Sequence, residues 1–303
     1  MAKNLIVILG PTASGKTALA ARLAYDLGGE IISADSRQVY RGMNIGTGKD
    51  LNQYNIDGKQ IACHLIDIME PENEFSLFEF QNRFYEIFIK LTRGKILPIL
   101  AGGTGLYLES VLAGYNMPPA LPDEELRKEL TKKSKSQLQE MLMVLKPHLH
   151  NRTDIDDNQR LIRAIEIEMA RQIKENEQRE KPDIDAVVFG IRWERLQLRR
   201  RIELRLKERL NQGMMEEVSK LHDKGLSWER LDSFGLEYRY ISQYLQNKMS
   251  FDDMRAKLTT GIHQFAKRQE TWFRRMEKKG IAINWIEGNN YPLLRESAMK
   301  YLK

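Results

Sequence analysis

"NLIVILGPTASGKTALAARL", Asn4–Leu23, decides the fold. Asn4–Leu9 is a short apolar run rich in β-branched residues, as expected of a strand buried on both faces of a parallel sheet. Gly10, Gly15, Lys16 and Thr17 then satisfy G-x-x-x-x-G-K-[ST]. After the loop, Leu19, Leu23 and Leu27 recur every four residues, as on one face of a helix. Strand, glycine loop and helix in that order make a phosphate-binding loop. Its backbone N–H groups curl around phosphate oxygens, and the helix N-terminus adds partial positive charge. Lys16 sets an ammonium on the phosphates, and the Thr17 hydroxyl suits Mg²⁺. The candidate phosphate-binding residues are therefore Gly10, Pro11, Thr12, Ala13, Ser14, Gly15, Lys16 and Thr17, with Thr17 as the candidate metal ligand.

The pattern continues outward from this unit. Gly28 and Gly29 end the first helix, and "EIISAD" (Glu30–Asp35) reads as a second strand. A Phe- and Leu-rich helix is expected from about Leu77 to Leu91. "KILPILAGGTG" is another buried strand ended by glycines, followed by a short helix in "LYLESVLAG". This alternation predicts an α/β fold with a P-loop and a doubly wound parallel sheet. From Pro118 the chain becomes charged and helical, with a second helix in "QRLIRAIEIEMARQI" and a solvated linker in "KENEQREKPD". "AVVFGI" (Ala186–Ile191) returns to the sheet, and "IAINWIE" (Ile281–Glu287) adds a last strand. The expected organisation is a core in residues 1–117, a small helical insertion domain in 118–183, and core completion with a basic helical part in 184–303.

Composition narrows the function. The chain has 303 residues, 42% of them hydrophobic, enough for one large core or two smaller ones. No apolar run approaches the roughly 20 residues of a membrane helix, so no membrane contact is expected. The apolar N-terminal run leads straight into the loop and reads as a strand, not a signal peptide. A single cysteine, Cys63, excludes an internal disulfide and a Cys-cluster zinc site. The five histidines (His64, His148, His150, His222 and His263) show no metal-ligand pattern. A cytoplasmic monomer is the expectation. Residues 184–303 carry 24 Lys and Arg against 16 Asp and Glu, whereas both earlier parts are near balance. That excess points to a polyanionic partner such as nucleic acid, or to a solvated basic surface.

Candidate catalytic groups lie at strand ends. Asp35 ends the second strand, where ligands of open α/β sheets bind. It reads either as a general base or as the cap of a following helix. Where an NTP hydrolase would offer Asp, the strand ending in "AGGTGLYL" offers Thr104. The nearest substitute is Asp67 in "HLIDI", either a plain strand-end acid or a distant Mg²⁺ partner. Arg201, Arg205 and Arg209 recur every four residues on a helix from about Trp193 to Leu210. The row reads either as a solvated helix edge or, for Arg201 and Arg205, as a reach to the phosphate site, and Arg209 is expected in solvent. "KRQETWFRR" (Lys267–Arg275) mixes cations for phosphates with Trp272 and Phe273, which either stack on bases or join the core. A small-molecule or nucleoside kinase, and a regulatory nucleic-acid-binding NTPase, share the loop and stay open at this point.

"GPTASGKT", "DSRQVYRGMNIGT", "HLIDI" followed by "EP", "GGTGLYL", "DNQRLIRAIE" and "AKRQETWFRR" occur in this order. Together they resemble the tRNA dimethylallyltransferase family, bacterial type, over nearly the whole chain. The resemblance implies transfer of the dimethylallyl group of dimethylallyl diphosphate to the exocyclic amine of the adenosine 3′ of the anticodon in tRNA. The loop, with Arg201 and Arg205, then holds the donor's diphosphate with Mg²⁺. Asp35, Thr104 and Lys16 become the catalytic set. Contacts to the tRNA anticodon stem-loop fall on Asp35, Ser36, Arg37 and Gln38, on Gln159, Arg160, Leu161, Ile162 and Arg163, and on Lys267, Arg268, Gln269, Trp272 and Arg274. Within the second group, Leu161 and Ile162 read as packing residues. Two segments depart from the family's pattern. "GTGKD" (Gly46–Asp50) replaces a common GTAKP, and Glu237 in "SFGLEYR" stands before Tyr238 where many members have Gly.

Overall fold

A computed structural model describes residues 2–118, 120, 123–146, 157–173 and 181–302. His148, His150 and most of the segment read as a linker, 174–180, lie outside the described residues. The chain forms two compact units, residues 1–114 with 182–303, and residues 115–181.

In the first unit, β1 (Leu5–Leu9) runs into the glycine loop and α1 (Lys16–Leu27). β2 (Gly29–Ala34) follows, then the small antiparallel hairpin of β3 (Asn55–Ile56) and β4 (Lys59–Gln60), and β5 (Cys63–His64). Next come α2 (Leu77–Arg93), β6 (Leu97–Gly102) and α3 (Gly105–Leu112). The six-stranded sheet has the order β5-β2-β6-β1-β7-β8, completed by β7 (Ala186–Arg192) and β8 (Ile283–Glu287). All of its pairings are parallel.

The unbroken apolar run of β1 follows from burial on both faces. Ile6 and Ile8 pack with Leu19 and Leu23 of α1 on one side. Leu5, Val7 and Leu9 pack with Phe80, Phe84 and Phe88 of α2 on the other. α2 begins with a capping box, in which the Ser76 hydroxyl accepts from the Glu79 N–H and the Glu79 carboxylate accepts from the Ser76 N–H. Its aromatic residues at four-residue spacing are what anchor it to the sheet. The apolar stretch around "HLIDI" yields only the two-residue β5, because Leu65 and Asp67 both take positive φ.

The remainder of this unit is helical: α7 (Arg195–Asn211), α8 (Met214–Asp223), α9 (Trp228–Ser233), α10 (Leu236–Leu245), α11 (Phe251–Lys278) and α12 (Tyr291–Tyr301). α7 through α11 share a core that includes Leu198, Ile202, Leu206, Tyr238, Leu258 and Ile262. "SFDDMR" starts α11, with the Ser250 hydroxyl accepting from the Asp253 N–H. The second unit holds α4 (Glu124–Leu130), α5 (Lys135–Leu145) and α6 (Asn158–Ile173) around Leu130, Leu138, Leu142, Leu161, Ile162 and Ile165.

Phe84 is fully buried beneath the sheet. Truncation to alanine leaves a cavity that this packed layer cannot close, and Phe84→Ala is expected to cost about 3–5 kcal/mol in urea unfolding. A loss below 1 kcal/mol would show that the α2 layer is not tightly packed.

Candidate active site

The turn after β1 enters α1 through Gly15, which has φ 86° and caps the helix in the left-handed region. The Lys16 ammonium, at the first position of α1, donates to the Pro11 carbonyl at 3.3 Å. Burial pushes its pKa down from 10.5 to about 8; Asp35 is the strongest charge acting the other way, and Arg205 and Arg209 add to the lowering. A desolvated ammonium beside two guanidinium groups favours an incoming anion. The half-buried Thr17 hydroxyl has no hydrogen-bond partner among the described residues.

Two helices, α7 and α11, and Trp193 in the link before α7 brace the loop. From α7, Arg201 donates to the Ala13 carbonyl at 2.9 Å and lies over the Trp193 ring at 4.2 Å, while Trp193 donates to the Ser14 carbonyl at 2.9 Å. Arg205 reaches the Thr12 hydroxyl at 3.4 Å and the Asp50 carboxylate at 2.7 Å. From α11, the buried Gln269 accepts from the Thr12 N–H at 2.8 Å and donates to the Gly103 carbonyl at 2.8 Å. One side-chain amide thus ties the phosphate loop to the turn after β6.

That turn delivers Thr104. Its N–H donates to the Ala34 carbonyl at 3.2 Å, and its hydroxyl accepts from the Ser36 N–H at 3.1 Å. The ends of β2 and β6 are therefore stitched together at Thr104, beside Asp35. No helix follows Asp35; turns occupy the next residues. Among the described residues its carboxylate accepts from the Arg37 N–H at 3.0 Å, a local turn, so the helix-cap reading does not hold. Arg37 donates to the Ser233 carbonyl at 2.8 Å. Gln38 is buried, its amide held by Ser33 and by the Gly48 carbonyl. Asp67, the alternative acid, pairs with the fully buried Lys49 ammonium.

The structure also separates the residues of each candidate group. On α11 the buried stripe is Ile262, Ala266, Gln269, Phe273 and Met276, leaving Lys267, Arg268, Arg274 and Arg275 exposed. Phe273 therefore belongs to the core. The Trp272 ring lies so close over Gly105 that a Cβ there would sit 2.4 Å from it. On α6, Gln159 and Arg160 are exposed and Leu161 and Ile162 are buried. Arg163 pairs with Glu166 and donates to the Ala120 carbonyl at 2.9 Å. Arg209, expected in solvent, is instead buried on the inner side of α7. The four-residue spacing of the arginines continues the face that covers the loop, and burial there lowers its pKa to about 10. The three described histidines make local contacts: His64 pairs with Glu30, His222 stacks on Trp228, and His263 lies near Glu203.

A glycine loop at the end of a central parallel strand, with a carboxylate and a hydroxyl at the nearby ends of β2 and β6, defines a P-loop α/β protein. Comparison with known proteins narrows this class. The family model described as IPP transferase matches residues 38–276, and one described as isopentenyl transferase matches residues 3–60. The chain is 56% identical to tRNA dimethylallyltransferase 1 of Syntrophus aciditrophicus over 98% of its own length and 97% of that protein's. It is 49% identical to tRNA dimethylallyltransferase 2 of Bacteroides fragilis, over 94% and 93%. Among solved structures, the full-length tRNA isopentenylpyrophosphate transferase of Bacillus halodurans matches with TM-score 0.71 and 30% identity, covering 99% of this chain and 97% of that one. A eukaryotic dimethylallyltransferase acting on tRNA shares the fold at TM-score 0.74 and 22% identity, over 94% and 74%. The chain belongs to the IPP transferase family and is a transferase. The kinase reading is not favoured by these relatives. Among the described residues, no helix is long and apolar enough to cross a membrane.

Gln269→Leu would leave the Thr12 N–H and the Gly103 carbonyl without their partner. A buried group left unpaired costs about 1–3 kcal/mol. Hydrogen exchange at the Thr12 amide is expected to speed up by roughly tenfold or more, because 1.4 kcal/mol is a factor of ten. An unchanged exchange rate would show that the Gln269 bridge does not hold the loop.

Proposed function

We propose that this chain transfers the dimethylallyl group of dimethylallyl diphosphate to the exocyclic amine of the adenosine 3′ of the anticodon in tRNA, releasing diphosphate. The observation that carries the reading is the meeting of Lys16, Asp35 and Thr104 at adjacent strand ends. The turn after β6 presents a hydroxyl where a hydrolase would hold an acid, and the acid next to it, Asp35, is engaged among the described residues with the Arg37 backbone N–H.

The chemistry follows from the reactants. An adenine amine is a weak nucleophile because its lone pair is delocalised into the ring. The enzyme must therefore align it with the allylic carbon and stabilise the leaving group. As the nitrogen–carbon bond forms, the carbon–oxygen bond breaks and its electron pair departs on the diphosphate. The loop amides, Lys16, Arg201 and Arg205 receive that charge. Asp35 accepts a hydrogen bond, then the proton, from the amine, and Thr104 holds the reacting centre between donor and acceptor. The adenine leaves its stack to enter, at little cost in a single-stranded loop.

The free Thr17 hydroxyl fits Mg²⁺, a cation that keeps most of its ligands from phosphate and water. When bound, Mg²⁺ would neutralise charge on the diphosphate. Lys267, Arg268 and Arg274 on α11, and Gln159 and Arg160 on α6, are exposed and suited to the RNA backbone. Ser36 and Arg37 flank the base pocket, and Trp272 borders the turn that carries Thr104. Gln38, Gln269, Leu161, Ile162 and Arg163 support these surfaces from beneath. A tRNA substrate fits work in the cytoplasm, and the proposed site residues all lie on one chain, which fits a monomer.

Incubation with undermodified tRNA, Mg²⁺ and labelled dimethylallyl diphosphate is expected to put label into tRNA without ATP. ATP consumption with unlabelled tRNA would overturn the proposal. Asp35→Asn is expected to lower kcat by about 10²–10⁴-fold with tRNA binding retained; full turnover in this variant would remove Asp35 as the base. A third expectation concerns pH. Lys16 loses its charge as pH rises through about 8, so the KM for the donor should climb above that pH. Lys16→Arg, which keeps its charge, should abolish the climb, and an identical profile in both proteins would exclude Lys16 as its source.

A further inference from the structure

The two segments that depart from the family's pattern meet at one place in the fold. Asp50, from "GTGKD", accepts from Arg205 at 2.7 Å and stands 3.8 Å from Arg209. Glu237, from "SFGLEYR", faces the same arginines: burial pushes its pKa up, while Arg209, Arg205 and Arg37 pull it down. Arg209 is buried, and its Nε and Nη2 have no hydrogen-bond partner among the described residues. The cluster touches the phosphate loop directly, because Arg205 also reaches the Thr12 hydroxyl at 3.4 Å.

Asp50 is not a loose surface carboxylate. The Glu217 carboxylate fixes the segment before it, accepting from the N–H groups of Asn44 (2.8 Å), Ile45 (2.7 Å) and Gly46 (3.0 Å) and from the Tyr238 hydroxyl (2.7 Å). Lys49, bonded to Asp67 and to the Tyr40 carbonyl, pins the next residue. Gly48, at φ 67°, opens the space that the guanidinium groups fill: a Cβ there would lie 1.6 Å from Nη2 of Arg209 and 2.6 Å from Nη2 of Arg205. Asp50 itself sits at φ 41°, an uncommon conformation for a residue with a side chain.

Four cations, Lys16, Arg201, Arg205 and Arg209, converge behind the loop. Left uncompensated, they would grip a multiply charged anion strongly both before and after the reaction. Such uniform binding does not speed chemistry, and product release limits many enzymes. Arg205 can serve Asp50 or an anion held at Thr12, and the two carboxylate and phosphate claims on it oppose each other. We infer that Asp50 is a built-in counter-anion of the Arg205–Arg209 pair, a positioning residue that weakens the hold on diphosphate and so speeds its release. Glu237 adds a second negative charge that acts on Arg209. The inference rests on the proposed reading of the loop as a diphosphate site.

The test is calorimetric binding of inorganic diphosphate with Mg²⁺ to the full chain. Wild type is expected to bind, and Asp50→Asn to bind roughly tenfold tighter, the scale of one charge removed at short range in a partly buried site. Inhibition of the transfer reaction by diphosphate should strengthen by the same factor. Because Asp50→Asn leaves a buried cation less compensated, the comparison is repeated on an Arg209→Met background, where that cation is gone. There too, adding Asp50→Asn should tighten binding over Arg209→Met alone. Equal or weaker binding in both Asp50→Asn proteins would overturn the inference while leaving the site reading intact. Failure of wild type to bind diphosphate would overturn both.

Discussion

The side-chain amide of Gln269 accepts from the Thr12 N–H and donates to the Gly103 carbonyl. Those two bonds set the distance between the glycine loop after β1 and the turn after β6 that carries Thr104. β1 and β6 are neighbours in the sheet, so their ends are already adjacent. Adjacency does not fix the loops that extend beyond the strands, however, since glycine-rich backbone has many conformations available. The amide fork selects one. Thr104 extends the same stitching to β2 through Ala34 and Ser36. The geometry of the candidate site is thus a property of three strand ends and one long helix taken together, and a displacement of α11 would be felt at both loops.

Electrostatics build on that frame. Lys16 and Arg209 are both held below their ordinary pKa values, chiefly by burial. Desolvated cations are costly to maintain, and proteins keep them where an anion arrives to relieve them or where fixed carboxylates stand by. Both devices occur here. Asp50 stands against Arg205 and Arg209, while Asp35 stands against Lys16. The site is neither a bare electropositive trap nor a neutral cleft, because its charge is partly compensated before any ligand enters.

The sequence displayed the scaffold more clearly than the bracing. Asn4–Leu9 reads as a two-sided buried strand, and the loop, α1, β6 and β7 follow where the apolar runs and glycines put them. Such patterns are local, and local patterns survive in one dimension. The role of Gln269 is not local: its two partners lie 257 and 166 positions away in the chain, and its basic neighbours suggested an RNA-facing surface. The stripe Ile262–Ala266–Gln269–Phe273 at helical spacing was the available signal, masked by a polar residue within it. Arg209 was obscured for a related reason. An arginine row looks solvated until a turn as specific as Gly48–Asp50 is known to cover it. Asp35 shows the reverse case, where a residue type suited to helix capping sits at a strand end with no helix behind it.

The fit of Gly48 against Arg209 constrains how this chain can change. A methyl group at position 48 would overlap the guanidinium, and its backbone angle already disfavours any side chain. Shrinking Arg209 first would leave Asp50 with one arginine in place of two, and removing Asp50 first would leave the buried arginine without its carboxylate neighbour. No single step among these positions is neutral. Positions 48, 50 and 209 are therefore epistatic, and a path from this arrangement to an uncharged one must pass through an intermediate that is either crowded or electrostatically unbalanced.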